Sequence, residues 1–402
     1  MVILVENLPV PLDRRVWLEA STLRDAGWSV LVISPRGAGD MKRLRERREG
    51  IEILRYPQRP AAGLAGYLLE YPPSMVFSAA WFAWARLTGR IDVVHGCNPP
   101  DLFFLFGWVG RLWGARYVFD QHDPNPELSL SKFGRRSLKA RLVYRLTLAL
   151  EAASYRAAHL VLTVNETCRE IAMARGQLPA DRVLVLRNAP NVEQLRRHAQ
   201  DVEPEGRRIG YVGVMGTHDG LDVLLDAWAI VKGEPDMADA RLELIGDGPA
   251  RQLLEPTLSD RVAESVSFHG FLPPESYAPI LARCLVGVSP DPPTPFNQLS
   301  SMVKIMDYMA LGRGCVVFDL LEARRLGGDA LKVADRPDAA GLATALLEVL
   351  RDPGHARLLG EGGRRRMEQL DLDWSSSGRV LMEAYARLTL APKRGRETAA
   401  RA

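Results

Sequence analysis

Short apolar runs rich in Val, Ile and Leu alternate along the chain with longer stretches whose apolar positions recur at helical spacing. That alternation predicts a parallel α/β fold. In the first half the predicted strands are Val2–Val5, Ser29–Ile33, Ile51–Tyr56, Asp92–His95, Ala115–Phe119, Leu160–Val164 and Val183–Leu186. Helical spacing covers Asp13–Ala26, where Val16, Trp17, Ala20 and Leu23 share one face before Gly27, and Arg135–Ala157, whose start is strongly basic. A polar stretch at 191–208 (NVEQLRRHAQDVEPEGRR) reads as a linker. The pattern then resumes, with strands at Ile209–Val212, Arg241–Ile245, Val266–Phe268, Leu285–Ser289, Cys315–Asp319 and Leu331–Val333. Helices are predicted there at Leu221–Val231, Ala250–Leu258, Ser300–Leu311, Ala339–Arg351 and Ser375–Leu388. The expected architecture is two Rossmann-like domains, over 1–190 and 209–374. A closing helix over 375–390 is expected to pack back toward the first domain, followed by a disordered basic, Ala-rich tail over 391–402. Ligands of such sheets bind at the carboxyl ends of the strands, so the site is expected just after them, facing a cleft between the two halves.

Composition narrows the classes. With 402 residues, 47% of them hydrophobic, and a net charge of only +3, the chain has material for two or three packed domains and is not disordered overall. Cys97, Cys168, Cys284 and Cys315 lie far apart without a CxxC pair, which argues against a disulfide or zinc framework, and no metal is expected. Residues 1–200 hold 28 Lys+Arg against 19 Asp+Glu, whereas 201–402 hold 24 against 30, so any anionic partner is expected at the first half. The start, MVILVENL, runs directly into a strand without a basic leader, and the most apolar stretch, Tyr71–Leu87, is broken by Ser, Pro and Arg. A cytoplasmic protein is expected, attached at most to the surface of the inner membrane face. Lys132, Arg135, Arg136, Lys139, Arg141 and Arg145 form a run without an acid. Together with Lys42–Arg48 and the aromatic run Met75–Trp84, it reads either as a solvated helix face beside a buried helix or as a contact for an anionic membrane surface. No nucleic-acid reader motif accompanies the charge.

Several segments after predicted strands have the chemistry of a site. In Asn297–Gly312, Ser300 or Ser301 is a good N-cap and Gly312 a stop, so the first-turn amides would face a bound phosphate. Lys304 would add positive charge, and Asp307, one turn on, would accept bonds from ribose hydroxyls. The alternative is a capped helix with an exposed Lys–Asp pair. In Asp120–Glu127, His122 would hydrogen-bond a substrate or shuttle a proton and Glu127 would orient a hydroxyl, unless His122-Asp123 is only a turn before Pro124. Arg14 and Arg15 offer planar forks for phosphate at a helix start, where an ordinary solvated first turn would look the same. His95 and Asn98 follow a strand end and are expected to line the cleft. Gly213 and Gly216 would let backbone approach a diphosphate, or simply make a tight turn. Two patterns mislead. Asp371-Leu-Asp373 looks like a metal-binding DxD but is better explained by helix capping, and Gly246-Asp-Gly248 lacks the third glycine of a dinucleotide fingerprint.

The segment SPDPPTPFNQLSSMVKIMDYMALGRGCVVFDL resembles the donor-site region of retaining GT-B glycosyltransferases of family 4, in a branch with an (S/T)xxNKIMEYMA-type motif. ENLPVPLDRRVWLEA, VVHGCNPPDL, FDQHDPNPEL, TVNE, VLRNAPN, GYVGVMGTHDGLDVLLDA and LIGDGP agree in order over about residues 1–390. The resemblance implies a GT-B fold and transfer of a sugar from a nucleotide-diphosphate donor, expected to be a UDP-sugar, to a hydroxyl acceptor with retention. The basic balance of residues 1–200, and not the resemblance, motivates a lipid-linked glycan precursor as the expected acceptor, and no metal cofactor is expected. His122 then matches the histidine near the reacting sugar, and Asn297, Ser300, Ser301, Lys304 and Asp307 the donor site. Leu299 stands where the family has its first glutamate, Asp307 replaces the second, and the usual Arg/Lys pair is absent from Val214–Gly220. Neutralising a diphosphate is thus left to Lys304, helix amides and Arg187 or Arg14. A sugar-nucleotide 2-epimerase and a non-catalytic nucleotide-sugar binding protein remain open.

Overall fold

A computed structural model describes residues 1–58, 63–134, 137–200, 202–217 and 219–390. The expected tail at 391–402, His218, and Arg135 and Arg136 of the basic run lie outside them. The chain divides into two compact units. The first joins residues from Met1 to Arg187 with those from Ser377 onward, and the second spans Asn188–Ser376.

The first unit is built on eight strands: β1 (Val2–Leu4), β2 (Leu31–Pro35), β3 (Arg45–Arg48), β4 (Ile51–Tyr56), β5 (Val93–Cys97), β6 (Arg116–Gln121), β7 (Leu160–Thr163) and β8 (Val183–Val185). Their order is β3-β4-β2-β1-β5-β6-β7-β8, parallel except for β3. Both faces are covered, which is why the strands read as continuous apolar runs. On one face the Arg14–Asp25 helix places Val16, Ala20 and Leu23 against Ile3, Val32 and Val93. Asp13 caps that helix, accepting from the Val16 amide at 3.1 Å, and Gly27 turns the chain away at φ 89°. The helix Trp374–Leu390 inserts Leu381, Ala384 and Tyr385 into the same layer. The other face is aromatic, with Phe82, Phe103, Phe106, Tyr117 and Tyr155.

The second unit has strands β9 (Arg208–Val212), β10 (Arg241–Ile245), β11 (Val266–Gly270), β12 (Val286–Ser289), β13 (Gly314–Val317) and β14 (Leu331–Val333). All run parallel in the order β11-β10-β9-β12-β13-β14. In this order β9 lies beside both β10 and β12, so the loops after these three strands emerge side by side. Both units are thus α/β with Rossmann-like parallel sheets.

Three features differ from the sequence reading, and a fourth decides between its alternatives. The stretch read as a linker contains a helix, Val192–Ala199, because Leu195 and Ala199 are buried in the second unit beneath its charged residues. Lys42–Arg48 is not a helix face, although Lys42, Arg43, Arg47 and Arg48 stay exposed. Residues 45–48 form the antiparallel edge strand, where Arg45 meets Glu52 at 2.7 Å and Glu46 meets Arg55 at 2.8 Å. The aromatic run packs in its second half, as the buried-helix alternative expected, while Val76 and Phe77 stay exposed. Phe82 is buried, Trp81 donates to the Arg55 carbonyl at 3.2 Å, and Arg45 covers the Trp84 ring at 5.0 Å. The charged, glycine-containing Pro353–Gln369 forms an unforeseen helix, in which Gly360 lets the backbone pass so close to Gly312 that a Cβ would sit 2.1 Å from its carbonyl oxygen.

Candidate active site

In the second unit, the loop after β9 and the turn after β12 bring together four groups. Lys304 Nζ lies 3.0 and 2.9 Å from the two carboxylate oxygens of Asp291, and 4.9 Å from the centre of the Tyr211 ring. Gly213 is so near that a Cβ there would sit 3.4 Å from Lys304 Cε. Ser289 donates to Asp291, fixing the carboxylate at the end of β12. Burial alone would lower the Lys304 pKa, but Asp291 outweighs it and keeps the ammonium charged.

The backbone around this cation is held by glycines. Gly246, at φ 133°, lies against Gly213 so closely that a Cβ would come 1.8 Å from its carbonyl oxygen, and the Met215 amide bonds to the Asp247 carbonyl at 3.1 Å. The Gly246-Asp-Gly248 segment therefore supports the β9 loop. The Gly216 amide donates to Asp219 at 2.9 Å.

The helix carrying Lys304 starts later than expected, at Val303, and Met302 is its N-cap without a side-chain bond. Ser300 and Ser301 do not cap it. Their hydroxyls turn to the Phe296 carbonyl at 3.0 Å and to Glu322 at 3.4 Å, because a 3-10 turn at Asn297–Leu299 intervenes. Asn297 is buried and donates to the Pro292 carbonyl at 2.8 Å, holding that turn. Asp307 is buried on the next turn and accepts from the Tyr277 hydroxyl at 3.1 Å, so it is neither exposed nor paired with Lys304.

In the first unit, register creates a second cluster. Pairing of β5 with β6 sets Cys97 beside Asp120, with His95 on the same face two residues earlier. Asp120 receives Arg15 through two bonds, 3.1 Å from Nε and 2.6 Å from Nη2, while Arg15 Nη1 reaches the Leu186 carbonyl at 2.7 Å. Burial opposes ionisation of Asp120, but the guanidinium prevails and holds its carboxyl well below the usual carboxylate range. The Asp120 oxygen that accepts from Arg15 Nε, Oδ2, also lies 2.5 Å from His122 Nε2. Burial and the neighbouring Asp120 push the Glu19 carboxyl well up, and burial lowers His95, whose Nδ1 meets the Tyr385 hydroxyl at 2.5 Å.

Glu19, His95, Cys97 and Asp120 present ligand atoms within 4.8 Å of one another. Arg15 already stands between the two carboxylates, 3.0 Å from Glu19, and supplies the positive charge that a cation would bring. The set therefore does not fit a metal unless the guanidinium leaves.

The His122 loop is clamped from behind. Asn98 Oδ1 accepts the amides of His122 at 2.6 Å and Asp123 at 3.1 Å, and its Nδ2 donates to Asp101 at 2.9 Å and to the Asp123 carbonyl at 2.7 Å. Burial raises the Asp101 carboxyl to about 7. Glu127 forms a two-pronged ion pair with Arg175, 2.5 and 3.4 Å long, and Arg175 also holds Glu151 at 3.1 Å.

Among the expected site residues, Lys304 and Gly213 therefore meet, as do Arg15, His95, Asn98 and His122. Arg15 and His95 are fully enclosed, so neither is the solvent-facing ligand contact expected of it. Arg14 and Arg187 are half-buried, and the Arg187 carbonyl accepts the Ser377 hydroxyl at 2.9 Å. Sequence reasoning missed Asp291 and Asp120, although both are carboxylates at or just beyond a strand end. It also missed Tyr385 and Arg175, which only tertiary packing brings in.

Two comparisons place these features among known proteins. Residues 12–189 match the family described as glycosyl transferase 4-like domain, and residues 206–352 match glycosyl transferases group 1. The architecture is that of GT-B glycosyltransferase structures. Sucrose-phosphate synthase from Thermosynechococcus elongatus is 20% identical with a TM-score of 0.72, over 97% of this chain and 100% of that one. Anabaena HepE in complex with UDP and glucose is 17% identical with a TM-score of 0.65, over 96% and 98%. WaaG, a glycosyltransferase involved in lipopolysaccharide biosynthesis, is 15% identical with a TM-score of 0.67, over 95% and 98%. No curated protein matches the sequence. The match to the 4-like domain thus falls on the first unit and the match to the group 1 domain on the second.

Proposed function

We propose that the protein transfers a sugar from a nucleotide-diphosphate donor to a hydroxyl acceptor, with retention of configuration and without a metal cofactor. The single observation behind the donor assignment is the Lys304 ammonium beside Gly213, at the start of a helix that no side chain caps. When the bond from the anomeric carbon to the diphosphate breaks, negative charge gathers on the leaving oxygen. A fixed cation and unshared helix amides lower that barrier without reorganising. The new bond forms to the acceptor oxygen on the same face, and the acceptor's proton passes to the departing phosphate. Asp291 holds Lys304 until the diphosphate competes for it. His122, held by Asp120 and the Asn98 clamp, contacts the sugar in this reading.

UDP is the preferred nucleotide because a structure of the same fold, HepE, is a complex with UDP and glucose. A lipid-linked glycan precursor is the preferred acceptor, supported by the likeness to WaaG. The two matched glycosyl transferase domains favour transfer over 2-epimerisation or binding alone.

The test is calorimetric titration of UDP-sugars, followed by turnover with acceptor. Lys304→Ala should weaken donor binding by about 1.5–3 kcal/mol, the value of a charge-assisted bond. Because it also strands a buried Asp291, Lys304→Met with Asp291→Asn serves as the folded control and should bind as weakly. Wild-type affinity in that control removes Lys304 from the donor site, and an epimerised sugar released from donor alone would make the enzyme an epimerase.

A further inference from the structure

We infer that Asp101 is a positioning residue for the transfer proposed above: it fixes which way the Asn98 amide points, and Asn98 in turn sets the backbone that carries His122. The inference rests on the reading of His122 as the sugar contact. Asn98 and Asp101 are 1% and 3% exposed. Asn98 has four hydrogen-bonding sites, and the fold fills all of them. Its Oδ1 accepts the amides of His122 and Asp123, while its Nδ2 donates to the Asp123 carbonyl and to Asp101 Oδ1. Backbone amides only donate, so Oδ1 must face them, and Nδ2 then needs acceptors of its own. Asp101 supplies one of the two. Its other oxygen, Oδ2, accepts from Asn125 Nδ2 at 2.6 Å, and Asn125 opens the Asn125–Phe133 helix that follows the His122 loop. The Ser154 hydroxyl, on the Leu138–Ala157 helix, holds the Asp101 carbonyl at 3.3 Å.

Both bonds to the carboxylate run from an amide donor to an acceptor. An ionised carboxylate fits that polarity, because it accepts at both oxygens. A protonated carboxyl does not, because its O–H would face an N–H donor at one oxygen or the other. Proton uptake by Asp101 therefore releases Asn98 or Asn125. Burial raises this carboxyl to about 7, with Glu151 and Asp123 adding to the rise and the two asparagine bonds opposing it. Burial raises Asp123 and Glu151 as well. The other groups around them are Tyr117 and Tyr155, whose hydroxyls burial pushes well up, and Arg175, which reaches Glu151 at 3.1 Å. Turnover should thus fall as the pH drops through about 7. The folded chain binds this proton more tightly than the unfolded chain does. Asp101 therefore adds stability as the pH falls from about 7 toward its ordinary value, and the loss of turnover is not unfolding.

The experiment compares the wild type, Asp101→Asn, and the double variant Asp101→Asn with Asn125→Asp. An amide at 101 turns its NH2 toward one of the two asparagines, whereas the double variant again gives every donor an acceptor. At about pH 8, Asp101→Asn should lower kcat roughly ten- to hundredfold, the effect of a misplaced group, with calorimetric UDP affinity unchanged. Protection of the His122 and Asp123 amides against hydrogen exchange should fall roughly tenfold, the worth of about one hydrogen bond. The double variant should recover both. It should also keep its turnover below about pH 7, where the wild type loses its own, because residue 125 is only half-buried. A packing role for Asp101 would not be rescued from position 125. Wild-type kcat and amide protection in Asp101→Asn, or a double variant no better than the single one, would overturn the inference. So would an acid fall in the double variant at the wild-type midpoint, which would place the titration on Asp123 or Glu151. If the wild type itself transfers no sugar, the reading of His122 fails, and amide protection still decides whether Asp101 sets the clamp. Should Asp101→Asn not fold, the double variant and the wild-type pH profile decide in the same way.

Discussion

Arg15 and Lys304 follow strand ends in the same way and look alike in the sequence, yet the fold uses them differently. Arg15 donates to Asp120 and to the Leu186 carbonyl and lies in charge contact with Glu19, where it is closed off from solvent. Lys304 meets one carboxylate at the end of a strand, next to a backbone without a side chain. The first is a positioning residue and the second a candidate ligand contact, so their substitutions should separate. Arg15→Met would strand a buried Asp120 and should cost about 3–5 kcal/mol in urea unfolding. His122→Ala should keep a near-native midpoint but lower turnover about a hundredfold or more, with donor affinity little changed. Wild-type turnover would assign His122 to structure alone. Residue type and place were legible in the sequence for His122, Lys304 and Gly213. The direction in which a side chain spends its hydrogen bonds was not, because it depends on partners such as Asp120 and Tyr385 that lie far away in the chain.

Strands were the most legible elements, since those of a sheet covered on both faces are mostly apolar along their length, as in Val2–Leu4 and Gly314–Val317. Elements that break this rule escaped notice. β3 is four charged or polar residues at an edge, and the Pro353–Gln369 helix contains glycines at the positions where it touches Gly312 and Met309. The serines before Lys304 gave a false helix start for a related reason, since an N-cap signal cannot reveal that a 3-10 turn claims the hydroxyl first. Glycine can also be read as a support for the site. Gly246→Ala would force a Cβ into the Gly213 carbonyl at a φ that alanine rarely adopts, so the β9 loop must move. The strain should cost about 1–3 kcal/mol of stability, and donor affinity should fall at least roughly tenfold where Lys304 is untouched. Calorimetry with UDP on the folded variant reads this, and unchanged binding would dissociate the β9 loop from the donor.

At the scale of the molecule, the first unit is not contiguous in sequence. It is completed by a helix that follows the whole of the second unit. Leu381 and Tyr385 are fully buried there, and Tyr385 touches both Trp28, with ring centres 5.4 Å apart, and His95, whose imidazole shares the layer of Asp120. The catalytic candidate His122 is therefore linked through Asp120 and its neighbours to the far end of the chain, which makes the last helix a structural part of the first sheet's site. Leu381→Ala removes core volume from that layer and should cost about 2–5 kcal/mol. Because the loss falls on one core cluster, native-state hydrogen exchange should show amides of β1 and β5 losing protection while those of β9 and β10 keep theirs. Equal loss in both sheets would mean that the two units unfold as one. Unchanged protection in β1 and β5 would mean that the first unit closes without its last helix, and His122 turnover would then survive truncation before Ser377.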